Sequence, residues 1–147
     1  VNRLFYENTS DSAYASLFFA EYDDDSRRLR YANCGHLSGL IIGADNSCQR
    51  LDSTGTLLGL FEKWDCSISE CQLRPGDMLA LYTDGITEAC NQQGEEFGEN
   101  SLLERLHRYR EQSCEVALQS IANEVRDFNP AEQQDDITLI IAKCKSE

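Results

Sequence analysis

Near the middle of the 147-residue chain, residues 78–85 read Met-Leu-Ala-Leu-Tyr-Thr-Asp-Gly. The first part, 78–82, is almost continuously apolar, which is typical of a β-strand that is buried on both faces. The preceding residues, 74–77, place a proline next to a glycine and predict a turn. The strand is therefore expected to end at Asp84, which leaves a carboxylate at the edge of a sheet.

The residues before this strand predict an antiparallel sheet. Two apolar runs, 13–22 and 29–32, are separated by the polar residues 23–26, a pattern that predicts a β-hairpin. Further short strands are predicted at 40–42, 48–51 and 66–71. The first residues of the chain, with Val1, Leu4 and Phe5 at helical spacing, predict a helix.

The residues after the central strand change to a helical period. Apolar side chains at helical spacing predict one amphipathic helix over 102–109, capped by Asn100 or Ser101, and a second over 118–125. Asn129-Pro130 is expected to end the second helix. Residues 137–141 then predict a buried closing strand. Strands, helices and a returning strand favour an α+β fold in which helices are layered on antiparallel sheet.

Composition limits the possible partners. The chain carries 26 acidic and 13 basic residues, for a formal net charge of −13. This excess works against binding to nucleic acid or to an anionic membrane surface, because neutralising phosphates requires clustered Lys and Arg. No apolar run approaches the roughly 18 residues of a membrane-spanning helix, and no leader-like segment opens the sequence. We therefore expect a cytoplasmic protein with no nucleic-acid or membrane partner.

The seven cysteines are odd in number and form no Cys-x-x-Cys pair. Most of them occupy positions that suit a small apolar side chain in a strand or helix. The pattern favours reduced, structural thiols over a disulfide framework, with a zinc site as the alternative interpretation.

Three aspartates are the candidate metal ligands. Asp84 follows one predicted buried strand, and Asp135 and Asp136 precede another. If these strands are antiparallel neighbours, the carboxylates meet at one sheet edge, where a hard cation such as Mg²⁺ or Mn²⁺ would relieve their repulsion. The alternative is an ordinary turn at Asp84 and an exposed pair at the start of the later strand.

Nucleophilic catalysis finds no support in the sequence. It contains no G-x-S-x-G elbow, P-loop or zinc-protease helix. His36 is either a general acid or ligand, or a hydrogen-bonded loop residue, and the second interpretation is favoured for a lone histidine between two strands.

Several motifs occur together in one order. They are Tyr31-Ala32-Asn33-Cys34-Gly35-His36, Leu58-Gly59, Leu73-Arg74-Pro75-Gly76-Asp77, Leu81-Tyr82-Thr83-Asp84-Gly85-Ile86-Thr87-Glu88-Ala89, Gly94-Glu95-Glu96-Phe97-Gly98 and Asp135-Asp136-Ile137-Thr138. From about residue 13 to the C-terminus, their order and spacing resemble the SpoIIE/RsbU branch of the PPM (PP2C-like) serine/threonine phosphatases.

The resemblance implies a PP2C-like sandwich of antiparallel β-sheets flanked by α-helices, with a dinuclear Mn²⁺ or Mg²⁺ centre at one edge. In such enzymes a metal-activated water hydrolyses phosphoserine or phosphothreonine. Asp84 and Asp135 correspond to metal ligands of the family, and Asp136 corresponds to an accessory carboxylate. The implied partner is a phosphorylated STAS-type anti-sigma-factor antagonist.

The sequence departs from the family pattern at its beginning. The family's catalytic domain starts with a Gly-Asp-x-x-Asp strand that supplies a metal-bridging aspartate, and residues 1–147 contain no such motif. We therefore expect a single PPM-type domain with its N-terminal strands missing. Two functions stay open, a phosphatase domain and a non-catalytic interaction module of the same fold. Missing strands would also expose an apolar strip and favour a homodimer. The strip is expected to include Phe18, Phe19, Leu81 and Leu139.

Overall fold

The structure, a computed structural model, describes residues 1–10, 12–130 and 136–145. Its helices are α1 (Asn2–Asn8), α2 (Asp84–Thr87), α3 (Gly98–Tyr109) and α4 (Cys114–Phe128). Its strands are β1 (Leu17–Asp23), β2 (Arg28–Cys34), β3 (Gly39–Ile42), β4 (Cys48–Leu51), β5 (Ser69–Gln72), β6 (Met78–Tyr82) and β7 (Leu139–Lys143). This composition confirms the predicted α+β class.

The chain forms two compact units. Unit 1 comprises Val1–Ser38 and Arg50–Arg74, and unit 2 comprises Gly39–Gln49 together with the described residues from Pro75 onward. Each unit contains sheet strands, and the helices α2, α3 and α4 belong to unit 2.

Unit 1 is built on an antiparallel sheet in the order β1-β2-β5. The predicted hairpin is confirmed, because β1 and β2 pair along their full length. The ring of Phe18 stacks on Tyr31 of β2, with centroids 5.7 Å apart, while Phe19 is 63% exposed. The strand predicted from residue 66 begins only at Ser69, because Cys66 instead makes an isolated bridge to the loop before it.

The predicted N-terminal helix is confirmed as α1, but its one fully buried residue is polar and its apolar Phe5 is half-buried. The Asn2 side chain is buried, donates a hydrogen bond to the carbonyl oxygen of Phe61 and accepts one from the backbone N–H of Gly59. Leu4, by contrast, is 69% exposed. The apolar spacing therefore marks the helix correctly without marking its buried face.

The second sheet has the order β4-β3-β6-β7, and its strands β3, β6 and β7 lie in unit 2, where β6 pairs antiparallel with both β3 and β7. One face of this sheet shares a hydrophobic core with α3 and α4. The fully buried members include Leu40, Ile42, Met78, Ala80, Leu102, Leu106, Ala117 and Ile121. The core therefore joins the sheet to both amphipathic helices, as the helical periodicity predicted.

Two expectations about buried strands are wrong. β6 alternates between buried residues and the half-buried Leu79 and Leu81 instead of being buried on both faces. β7 begins at Leu139 and alternates as well, with Ile141 buried and Ile140 53% exposed. The helices cover one face of each strand. The apolar side chains on the other face are half-buried or exposed.

The predicted start of α3 is wrong, whereas the predicted end of α4 is confirmed. α3 starts at Gly98, so Asn100 and Ser101 lie inside its first turn, and its N-cap position makes no side-chain hydrogen bond. The predicted caps are therefore wrong. α4 is capped by Ser113, whose hydroxyl accepts a hydrogen bond from a backbone N–H of the first turn, and it ends at Asn129 as predicted.

Candidate functional site

The pairing of β6 with β7 creates the candidate site in unit 2. The two strands are antiparallel, and Tyr82 at the end of β6 lies opposite Leu139 at the start of β7. Residues that follow β6 and residues that precede β7 therefore lie at the same sheet edge. This confirms the strand arrangement on which the predicted metal site depends.

Thr83 ties the two sides of this edge together. Its hydroxyl donates a hydrogen bond of 2.9 Å to the carbonyl oxygen of Asp136 and accepts one of 3.0 Å from the backbone N–H of Thr138. Its own backbone N–H donates to the carbonyl oxygen of Thr138 at 3.1 Å. The segment that carries Asp136 is therefore fastened to the residue immediately before Asp84. Thr83 is not among the predicted site residues, although its place in the Thr-Asp-Gly motif was a usable signal.

Asp84 is exposed and is the first residue of the one-turn helix α2. One carboxylate oxygen accepts a hydrogen bond of 3.1 Å from the backbone N–H of Gly85. The Asp84 carbonyl oxygen accepts from the backbone N–H of Glu88 at 2.8 Å. These bonds fix the backbone around Asp84 while its side chain stays accessible to solvent.

The described part of the site supplies an incomplete ligand set. Asp84 and Asp136 are both exposed at this edge, and Asp135 lies outside the described residues. Within residues 1–10, 12–130 and 136–145, no group of three or more His, Cys, Asp or Glu side chains could hold a metal ion. Carboxylate oxygens suit Mg²⁺ and Mn²⁺, but an octahedral shell takes about six ligands. The donor chemistry fits such an ion, and the number of described donors does not complete its shell.

His36 lies in unit 1 and is a hydrogen-bonded loop residue, the favoured of the two interpretations. Its Nδ1 is 3.1 Å from the hydroxyl oxygen of Ser16, and its backbone N–H donates to the side-chain oxygen of Asn33 at 2.9 Å. Asn33 is fully buried and also donates to the carbonyl oxygens of Leu37 and Leu51. This asparagine organises the loop, and its presence among apolar strand residues was the available sequence signal.

All seven cysteines carry reduced thiols that form no disulfide, as predicted. The alternative zinc site finds no group of suitable side chains among the residues that the structure describes. In this same part of the chain, no helix is both long and apolar enough to span a lipid bilayer.

Comparison with known protein families gives an extended match. The profile of the family described as Stage II sporulation protein E (SpoIIE) matches residues 1–145. The chain is 30% identical over 152 aligned residues to phosphoserine phosphatase RsbU of Bacillus subtilis (strain 168), which covers 99% of this chain and 43% of that protein. The chain thus spans less than half the length of this relative.

Solved structures share the fold. The SiaA-PP2C domain of Pseudomonas aeruginosa superposes with a TM-score of 0.77 at 21% identity, over 87% of this chain and 51% of that one. The phosphatase domain of the cell fate determinant SpoIIE from Bacillus subtilis, presoaked with Mn, gives 0.70 at 16% identity, over 99% and 63%. The predicted PP2C-like α+β fold is therefore confirmed.

Proposed function

Since the chain belongs to the stage II sporulation protein E (SpoIIE) family, we propose that it is the C-terminal part of the catalytic domain of a metal-dependent serine/threonine protein phosphatase. The observation that carries the proposal is the Thr83 hydroxyl, which fastens the segment bearing Asp136 beside Asp84. The relative named as a phosphoserine phosphatase supports the same reaction class.

In this proposal Asp84, Asp135 and Asp136 donate carboxylate oxygens to a Mn²⁺ or Mg²⁺ centre. These carboxylates fill only part of an octahedral shell of about six ligands. The bound metal would supply the activated water that hydrolyses a phosphoserine or phosphothreonine ester. The task of this chain is positional, since Thr83 holds one acidic segment against the other before any ion binds.

The test is phosphate release from a phosphoserine peptide by the full-length protein in the presence of Mn²⁺. We expect Asp84→Asn to lower kcat/KM by more than the roughly 10–100-fold that changes outside the ligand shell produce. Asp127→Asn is the matched control, because Asp127 is an exposed aspartate on α4 of the same unit. Equal activity of the two variants would contradict a role for Asp84 as a ligand.

A non-catalytic interaction module of the same fold is the second candidate. It is favoured by the lack of a complete ligand group among the described residues. Under this alternative the full-length protein would bind its partner with unchanged affinity after Asp84→Asn and would release no phosphate from any phosphoserine substrate with either metal. Measurable Mn²⁺-dependent turnover excludes it.

We further propose that the substrate is a phosphorylated STAS-type anti-sigma-factor antagonist, which the protein meets in the cytoplasm. The support is the motif resemblance to the SpoIIE/RsbU branch. The choice of substrate is tested by incubating the protein with purified phosphorylated STAS domains and measuring the loss of phosphate by mass spectrometry. If the protein dephosphorylates generic phosphopeptides but not the STAS domain, the proposed substrate is wrong and the proposed phosphatase activity stands.

We further propose a homodimer, which the exposed Phe19 supports, whereas Phe18, Leu81 and Leu139, the other residues of the predicted apolar strip, are half-buried. β1 is an edge strand of the unit 1 sheet, and its Phe19 is 63% exposed. Exposed edge strands with apolar side chains are common sites of pairing between chains. Sedimentation velocity of the full-length protein and of Phe19→Ser tests this, and a concentration-independent monomer in both would contradict it.

A further inference from the structure

Two cysteine sulfurs meet inside unit 1. The Sγ atoms of Cys34 and Cys66 are 3.3 Å apart. Cys34 ends β2 and is 1% exposed, whereas Cys66 lies in the segment before β5 and is half-buried. The Cys66 sulfur also lies 3.4 Å from the hydroxyl oxygen of Thr54. Cys66 is therefore the more solvent-exposed residue of the pair, and Cys34 is the buried one.

Gly55 makes the contact between the sulfurs possible. It forms isolated β-bridges to both Cys34 and Cys66, so its backbone lies beside each of them. A Cβ atom at this position would stand 3.0 Å from the Cys66 sulfur. Because glycine has no side chain, the backbone approaches here without crowding the Cys66 sulfur.

We propose that Cys34 and Cys66 are an oxidative modification site, a dithiol pair that a hydroperoxide converts to a disulfide. The Cys66 sulfur attacks the peroxide, the O–O bond breaks, an alcohol or water leaves, and a sulfenic acid forms. The Cys34 sulfur then attacks the Cys66 sulfur, the S–S bond forms, and the hydroxyl departs as water with the proton of Cys34. Two thiols are oxidised and one peroxide is reduced.

The environment of the pair sets the order of these steps. Burial, followed by the hydrogen bond with Cys66, raises the pKa of the Cys34 thiol to about 11, so Cys34 is protonated at neutral pH. The thiolate is the nucleophile, and the peroxide must come from solvent, so the half-buried Cys66 reacts first and Cys34 resolves the sulfenic acid. Closing the bond shortens the separation of the sulfurs by about 1.2 Å.

The experiment treats the full-length protein, carrying Cys71→Ser, with one equivalent of hydrogen peroxide, blocks the remaining thiols and cleaves before aspartate. Cleavage leaves Cys34 as the sole cysteine of peptide 25–44 and Cys66 as the sole cysteine of 65–76. We expect these two peptides to be joined and 2 Da lighter than their sum, while the other cysteines are still alkylated. No joined peptide, or joining to a different cysteine, would overturn the proposal.

Three variants separate a reactive pair from ordinary packing. Cys66→Ser should leave Cys34 unoxidised, and Cys34→Ala should let a sulfenic-acid probe label Cys66. Gly55→Ala should slow the joining, because its Cβ crowds the Cys66 sulfur. Cys90→Ser, at an exposed cysteine, is the matched control and should join at the wild-type rate. Oxidation of Cys34 in the Cys66→Ser protein would refute the proposed order.

Discussion

Replacing Thr83 by valine exchanges its hydroxyl for a methyl group and leaves the shape of the side chain nearly unchanged. The hydroxyl donates to the carbonyl oxygen of Asp136 and accepts from the backbone N–H of Thr138. The third bond across this edge, from the Thr83 backbone N–H to the Thr138 carbonyl, does not depend on the side chain. The variant therefore tests the side-chain fastening alone and leaves the adjoining β6–β7 pairing in place.

The magnitude follows from the number of bonds and their exposure. A protein hydrogen bond contributes about 0.5–1.5 kcal/mol net, so two contribute about 1–3 kcal/mol. Thr83 is half-buried and Asp136 is exposed, so water replaces part of the lost bonding. We therefore expect a local loss of about 1–2 kcal/mol, which lowers the hydrogen-exchange protection of the Thr138 amide by roughly 5- to 30-fold.

The assay is amide hydrogen exchange of the segment at 136–139 in metal-free buffer. Thr138→Val is the matched control, because the backbone groups through which Thr138 bonds to Thr83 survive that substitution. It should retain most of the protection. If Thr83→Val and Thr138→Val exchange at the same rate, the Thr83 hydroxyl does not hold this segment and the positional argument for Asp136 fails.

Two further predictions concern stability. The Tyr109 hydroxyl donates a hydrogen bond to Glu124 of α4 and, with help from a neighbouring arginine, holds the pKa of the Glu124 carboxyl below its usual range. The ionised carboxylate therefore stabilises the fold above about pH 4.3, and this stabilisation is lost as the pH falls further. Thermal melting from pH 7 to pH 3 should accordingly show a shallower acid loss of stability in Glu124→Gln than in the wild type. Equal slopes for the two proteins would contradict this role of Glu124. Gly59→Ala should lower the unfolding midpoint in urea more than Gly94→Ala does. Both glycines have positive φ, so both substitutions strain the backbone. An added Cβ at Gly59 would also lie 2.7 Å from the carbonyl oxygen of Ala13, whereas an added Cβ at Gly94 meets nothing within 4 Å. Equal midpoints would show that the crowding at Gly59 is relieved by a small shift.

Local patterns predicted the elements well where local physics decides them. Residues 24–27 separate β1 from β2, one position away from the predicted 23–26, and Asn129 ends α4 as the sequence indicated. Turns and helix ends of this kind depend on the conformational preferences of a few adjacent residues. The end of the apolar run also indicated where β6 stops, since the strand ends at Tyr82 and Asp84 follows two residues later as the first residue of α2.

Burial was predicted less well. Met78 and Leu79 are both large and apolar, yet the first is fully buried and the second half-buried in β6. α1 buries Asn2 and exposes Leu4, which reverses the expectation from hydrophobicity. Which face of a strand or helix is buried depends on the elements that pack against it, and this cannot be predicted from side-chain type alone.

Period, turn chemistry and spacing along the chain were enough to establish the order of the strands and of α1, α3 and α4, the acidic residues that follow β6 and precede β7, and the family resemblance. The tertiary structure alone decided that the Thr83 hydroxyl bonds to a residue 55 positions away and that Cys34 touches a sulfur 32 positions away. Such contacts require a particular register between distant segments. Register is set by the packing of whole strands, so no local pattern around either residue encodes it.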